Sequence, residues 1–325
     1  MRIARCALPV LMLVPALAGL LAAPAAAQDY PLREIHAICP FGPGTGADIV
    51  VRYYAQKLSE LSGKPVITEN RPGAQGLVAT EAVARARPDG YTVAITPASS
   101  TLAAAPHLYK SLSFDPVKDF APVATISTLS FALMTAPGKG FRTVADLTAY
   151  LKAKQGDRFY ASSANTGTIS AELYKKAIGV DVKRVNYKNG PDAINDMLSD
   201  RIDFWFTDAS FAVGQVASGR LTALAVTGAQ RTGALPDVPT MKESGVDMEL
   251  SAWWGVLVPA GTPQPVIDRL AGWIGRISAT DETRAFLRKF ANDPMPGDAA
   301  LLRSLLVRDM ARWAEYVRIA EIEPQ

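Results

Sequence analysis

The stretch Ile38–Arg52, ICPFGPGTGADIVVR, sets Gly42, Gly44 and Gly46 between an apolar run and a segment whose periodicity predicts a helix. Glycine lets a backbone approach a ligand closely, and the first N–H groups of a helix, which carry the positive end of its dipole, favour an anion. The spacing Gly42, Gly44, Ala47 also fits a dinucleotide fingerprint, with Glu69 about 20 residues further on for a ribose hydroxyl. The loop therefore suits a carboxylate or a pyrophosphate. Two further loops share this strand, glycine loop, helix order: TENRPGAQG, and SSANTGTIS with the small hydroxyl residues Ser163 and Thr166.

Catalytic material is thin. The chain has 2 histidines, and His36 falls inside a predicted strand while His107 falls in a loop with no partner suggested by spacing. No zinc-protease, nucleophile-elbow or Walker-type motif occurs. We therefore expect no enzyme activity, no cofactor and no metal. Trp253 with Trp254, and the FWF run at Phe204–Phe206, read as core residues by default and as ligand-stacking aromatics by the sharper alternative. Asp48 reads as a helix N-cap, with a direct ligand contact as the alternative.

The elements that must position these loops alternate short apolar runs with helical periodicity, as parallel α/β structure does. IHAICPF, PVITEN and YTVAITP read as strands around helices starting at Ala47 and Gly76, and Gly63 reads as the stop of the first helix. A second series follows. TVADLTAYLKAKQ is a helix opened by a capping box of Thr143 and Asp146, and strands are expected in RFYASS, VKRVNY, IDFWFTD and LTALAVTG. Helices fill the remainder without strands of their own, so they are expected to pack back on the first unit. The chain would then cross between units twice, through Val123–Ala136 and Trp253–Val258, making a hinge; one continuous sheet with a C-terminal helical cap is the alternative.

Residues 1–27 read as a cleaved signal peptide: Arg2 and Arg5, an apolar run from Ala7 to Leu21, then small residues at Ala25 and Ala27. Cleavage would remove 2 of 34 basic residues, leaving 32 against 31 acidic ones. A nearly neutral chain offers no basic stripe for nucleic acid. Only Cys39 would survive cleavage, which rules out an internal disulfide. An exported protein seldom meets NAD, and this argues against the dinucleotide reading of the loop.

Several segments resemble the extracytoplasmic solute receptors of tripartite tricarboxylate transporters, the TctC or Bug family. CPFGPGTGADIVVR is similar to its P-F-x-P-G-G-x-x-D-x-x-x-R segment, VITENRPGAQG to E-N-R-P-G-A-x-G, and ARPDGYTV to P-D-G-Y-T. FDPVKDFAPV, LTALAVTGAQRTGALPDVPTMKESG and WWGVLVPAGTP follow in family order. The resemblance implies an α/β, two-domain periplasmic-binding-protein (Venus flytrap) fold with two interdomain crossings, residues 28–128 plus 253–325 forming one domain and 129–252 the other. It implies a periplasmic monomer that closes around a small organic carboxylate and delivers it to membrane permease subunits. An exported enzyme using the same cleft and a ligand receptor for a membrane sensor are the alternatives. By matching position, the carboxylate-binding loops would include Phe41, Gly44, Asp48, Ala74, Ser99 and Asp208. Thr45 stands where the family has a second glycine and would put a side chain in the ligand's approach. SSANTGTIS is shorter than the family loop. With tryptophans nearby, these departures suggest an aromatic or otherwise unusual acid.

Overall fold

The computed structural model describes residues 30–153, 157–187 and 190–324. The expected signal peptide, Cys6 included, lies outside the described residues. Among those described, no helix is long and apolar enough to cross a membrane.

The first series folds as read. Strands β1 (Ile35–Cys39), β2 (Val66–Asn70) and β3 (Thr92–Thr96) are parallel, β1 lying between the other two. Helix α1 (Gly46–Ser62) joins β1 to β2, and α2 (Leu77–Ala84) joins β2 to β3. Helix α1 buries Val50, Val51, Tyr54, Ala55 and Leu58, positions 3 to 4 residues apart that form one face. It stops at Gly63, whose φ of 68° is the left-handed conformation expected of a helix-ending glycine. A short helix α3 (Ala105–Leu108) follows β3.

Strand β4 (Phe120–Thr135) then runs through two sets of partners. Up to Ser130 it pairs antiparallel with β9 (Ser251–Pro259) and β10 (Asn292–Gly297). From Phe131 onward it pairs with β7 (Phe204–Asp208) and β8 (Thr222–Val226). The second series is carried on that far half: β5 (Phe159–Ser162) lies parallel to both β6 (Lys183–Asn186) and β7. Its helices are α4 (Val144–Ala153), α5 (Asn165–Ile178), α6 (Gly190–Leu198) and α7 (Ala209–Ala217). The capping box that opens α4 forms: the Asp146 N–H donates to Thr143 Oγ1 at 3.1 Å and the Thr143 N–H to Asp146 Oδ2 at 2.9 Å.

Helices α8 (Gln264–Ser278), α9 (Asp281–Lys289) and α10 (Ala299–Ile319) return to the first lobe. Tyr53 stacks on Phe286 at 3.8 Å between ring centroids, and the Tyr54 hydroxyl meets Ser278 Oγ at 3.0 Å. One expectation needs correction, because the returning segment does carry a strand, β10. Its sequence NDPMPG holds two prolines and no alternation, so neither propensity nor period marks it. Pairing with the edge of β4 creates it.

Candidate functional site

The loop between β1 and α1 is organised from inside. Thr45 is the N-cap of α1: its Oγ1 accepts from the Asp48 N–H at 3.2 Å and its hydroxyl donates to the Gly42 carbonyl at 2.8 Å. This corrects the reading of Asp48 as the cap. Asp48 lies in the first turn, 3% exposed, and its carboxylate is taken up by the protein itself. Oδ2 accepts from the Gly44 N–H and from Arg52 Nε, both at 2.9 Å, and Oδ1 accepts from Asn70 Nδ2 at 2.7 Å. Asn70 also donates to the Phe41 carbonyl at 2.8 Å and accepts from Arg52 at 3.0 Å. Burial pushes the Asp48 pKa up, but the bonds from Arg52, Gly44 and Asn70 outweigh it, and the net shift is downward. Gly44 has φ +80° with open space at its Cβ position, so its backbone conformation, not crowding, requires glycine. The Thr45 side chain is tied into its own loop and does not reach across the approach to the helix.

The acid 20 residues on belongs to other work. Glu69 accepts from His36 Nδ1 at 2.5 Å and from Arg71 at 2.9 Å, which leaves it no role toward a ribose. His107 Nε2 meets the Met310 carbonyl at 2.8 Å, packing against α10.

Opposite the loop stands the start of α7. Gly46, in the first turn of α1, has a Cβ direction that points at Ser210 Oγ, 3.5 Å from where a Cβ would lie, so the two helix N-termini meet across the cleft. Asp208 occupies the N-cap position of α7 without making a capping hydrogen bond. It is solvent-accessible, yet the surrounding protein mass displaces bulk water, and this desolvation raises its pKa to about 6. A carboxyl that is half neutral near pH 6 can donate to an anion or repel it, depending on pH. Ionised Asp208 opposes an incoming anion, so carboxylate affinity should rise severalfold as pH falls from 7 toward 5. Calorimetric titrations across that range check it, and Asp208→Asn should flatten the profile.

A cavity of about 530 Å³ is lined by residues from both lobes. Gln75 comes from the loop after β2; Ser162, Ser163, Asn165 and Thr168 come from the end of β5 and the start of α5; Arg184, Asn186 and Tyr187 come from β6 and its end. The residues Glu321–Glu323 after α10 close one side. Helix α5 begins after Ala164 without a side-chain cap, so its first N–H groups are open to a ligand. On the first lobe, Ala74 and Gln75 both hold left-handed φ, 42° and 52°, and the Tyr109 hydroxyl donates to the Ala74 carbonyl. Strained backbone of this kind is kept where the surroundings dictate it, here at the cavity wall.

The cavity therefore gathers Ser163 and, next to Ala74, Gln75. Thr166 is in the first turn of α5, where its carbonyl accepts from the Ser170 hydroxyl. Ser99 lies elsewhere: it is 1% exposed, and its Oγ accepts from the Trp253 N–H at 3.2 Å, pinning a π-helical turn to β9. The tryptophans behind the aromatic-ligand expectation are not in the cavity wall. Trp205, Trp253 and Trp254 are 1–3% exposed, because β7 and β9 are buried on both faces. Arg184 and Asn186 went unread in the sequence, since neither lies in a glycine loop, whereas Gln75 falls within TENRPGAQG.

Over residues 50–322 the sequence matches the tripartite tricarboxylate transporter family receptor, TctC. The chain belongs to this family. It is 30% identical over 304 residues to protein BugT of Bordetella pertussis, covering 92% of each chain. Among solved structures, R. palustris Rpa4515 with adipate is 30% identical with a TM-score of 0.81, covering 91% of this chain and 100% of that one. The periplasmic binding protein BugD is 28% identical with a TM-score of 0.77 over 91% of this chain and 100% of its own. The receptor accordingly has the two-domain periplasmic-binding-protein fold and is a solute-binding protein.

Proposed function

We propose that this receptor captures a small aliphatic dicarboxylate by hinge closure and hands it to the membrane permease subunits of a tripartite tricarboxylate-type transporter. The observation that carries the ligand class is the cavity itself: the guanidinium of Arg184 beside the open start of α5 and the amides of Gln75, Asn165 and Asn186, facing Glu321 and Glu323 on one side, with no tryptophan in the wall. Amides and helix N–H groups satisfy carboxylate oxygens without placing a full opposite charge on each, and a partly enclosed cleft strengthens such bonds. The adipate bound to Rpa4515 has the same chemistry. An aromatic acid would find little apolar surface here.

The domains are residues 28–128 with 253–325, and 129–252. Strands β4 and β9 cross between them, and closure brings the Gln75 loop and α7 toward the opposite lobe. Binding proceeds without turnover, as a monomer in the periplasm after cleavage near Ala27. Both histidines already have structural partners, and among the described residues no group of acids, histidines and cysteines could hold a metal.

Isothermal titration of the mature protein against C4 to C8 dicarboxylates, their monocarboxylate counterparts and benzoates tests the proposal. Saturable binding of a dicarboxylate, weakened tenfold or more by Arg184→Gln and partly restored by Arg184→Lys, is the expected result. Preference for a benzoate, or Arg184→Gln binding like the wild type, would overturn it.

A further inference from the structure

A second cavity, of about 550 Å³, shares no residue with the first. It lies against the crossing strands, with Thr128 and Ser130 of β4 and Ser251–Trp253 of β9 in one wall, the segment Gly228–Arg231 after β8 in another, and β10 and α10 opposite. Its chemistry differs from that of the carboxylate cleft. Arg231, Arg288, Arg308 and Arg312 reach it, together with Glu249, Asp293 and Asp309.

The acids are largely taken. Lys242 holds Glu249 at 2.7 Å, and Asp309 accepts from Trp253 Nε1 at 2.6 Å and Arg308 Nε at 2.8 Å. Arg231 is held by Glu243 at 2.9 Å, and Arg312 stands 3.9 Å from the already engaged Asp309. The Arg288 guanidinium makes no hydrogen bond or ion pair among the described residues, and its stem lies along Gly233. Uncommitted positive charge therefore centres on Arg288 and Arg312. The rest of the wall is apolar and aromatic, from Leu250, Trp253, Met295, Leu305, Trp313 and Tyr316.

We propose that this cavity is a second ligand site, for a small aromatic anion. Its ring lies against Tyr316, next to the largely buried Trp313, and its acid group on Arg288 and Arg312. Guanidinium planes both pair with a carboxylate or sulfonate and stack on aromatic faces, so one arginine pair serves both halves of such a ligand. An aliphatic dicarboxylate lacks the ring and would bring a second charge toward Glu249 and Asp293.

Anilinonaphthalene sulfonate is the probe, since its emission rises when water is excluded. Titration into the full-length mature protein should give one saturable site, displaced by naphthoate. Arg288→Gln should weaken it tenfold or more and Arg312→Gln several-fold, while Arg184→Gln in the other cavity should leave it unchanged. Arg288 and Arg312 are both exposed, so an unaltered melting temperature separates loss of the site from loss of the fold. No saturable binding to the wild type, equal affinity in Arg288→Gln, or a loss in Arg184→Gln instead would each overturn the proposal. The last would place the probe in the carboxylate cleft.

Discussion

Asp48→Ala is expected to lower the unfolding free energy by about 2–4 kcal/mol and to weaken carboxylate binding at least tenfold, the stability figure resting on lost hydrogen bonds to a buried charge. The carboxylate takes three donors at once, from Gly44, Arg52 and Asn70. Without it Arg52 can turn to water, since half its side chain is exposed, whereas the Gly44 N–H and the Asn70 amide lose the acceptor that fixes them. The loop Gly42–Gly46 would then lose its link to β2 and with it the aim of the first turn of α1. Asp48→Asn is expected to be nearly as harmful, because an amide brings donors of its own to a point where donors already converge. The pH dependence separates this account from simple loss of packing. The folded-state pKa is depressed, so the stabilisation is present above the unfolded value near 4 and is lost as pH falls through the lower folded value. Urea unfolding should therefore show the gap between wild type and Asp48→Asn widest near neutrality and narrowing below pH 4. A gap independent of pH would refute the role given to the ionised carboxylate.

That network shows what the sequence could and could not tell. The i, i+4 spacing of Asp48 and Arg52 on a helix was readable, and a pair at that spacing faces one side. Asn70 was visible as part of E-N-R-P-G, but nothing local says that the end of β2 lies beside the start of α1. Parallel pairing of β1 with β2 puts Cys39 opposite Asn70, and that register supplies the missing contact. The strands and helices of both lobes, and the long strand β4 that pairs on both, were legible because each carries its own period or apolar run. Strand β10 was not, because only its partner makes it a strand. The cavity was half legible for a similar reason. Glycine loops and the start of α5 advertise themselves, whereas Arg184 and Asn186 sit on a short, mostly exposed edge strand whose pattern resembles any surface segment. The tryptophans followed their default reading: burial on both faces of β7 and β9 took Trp205 and Trp254 into the core.

Gly167→Ala should be the most damaging single-methyl change in the second lobe. Gly167 lies in the first turn of α5, and a Cβ there would stand 2.5 Å from the Phe206 carbonyl oxygen of β7. A side chain in the way could rotate, but a carbonyl in the middle of a paired strand cannot, since Phe206 is opposite Leu133 in the ladder with β4. The start of α5 must therefore lift away from the sheet, at a cost of about 1–3 kcal/mol for overpacking. The Ser162–Thr168 hydroxyl contact at 2.5 Å straddles this point and would be disturbed as well. Because the same turn forms the wall of the polar cavity, carboxylate affinity should fall tenfold or more even where the protein remains folded. Gly272→Ala supplies the contrast: it is an exposed position in α8 with nothing within 4 Å of its Cβ direction. There the added methyl should raise stability by about 0.5–1 kcal/mol through helix propensity and leave binding alone. Thermal unfolding and titration calorimetry on the two variants decide the matter. If Gly167→Ala bound and melted like the wild type, α5 would not be seated on β7 as closely as the cavity requires, and the assignment of its first turn to ligand binding would fall with it.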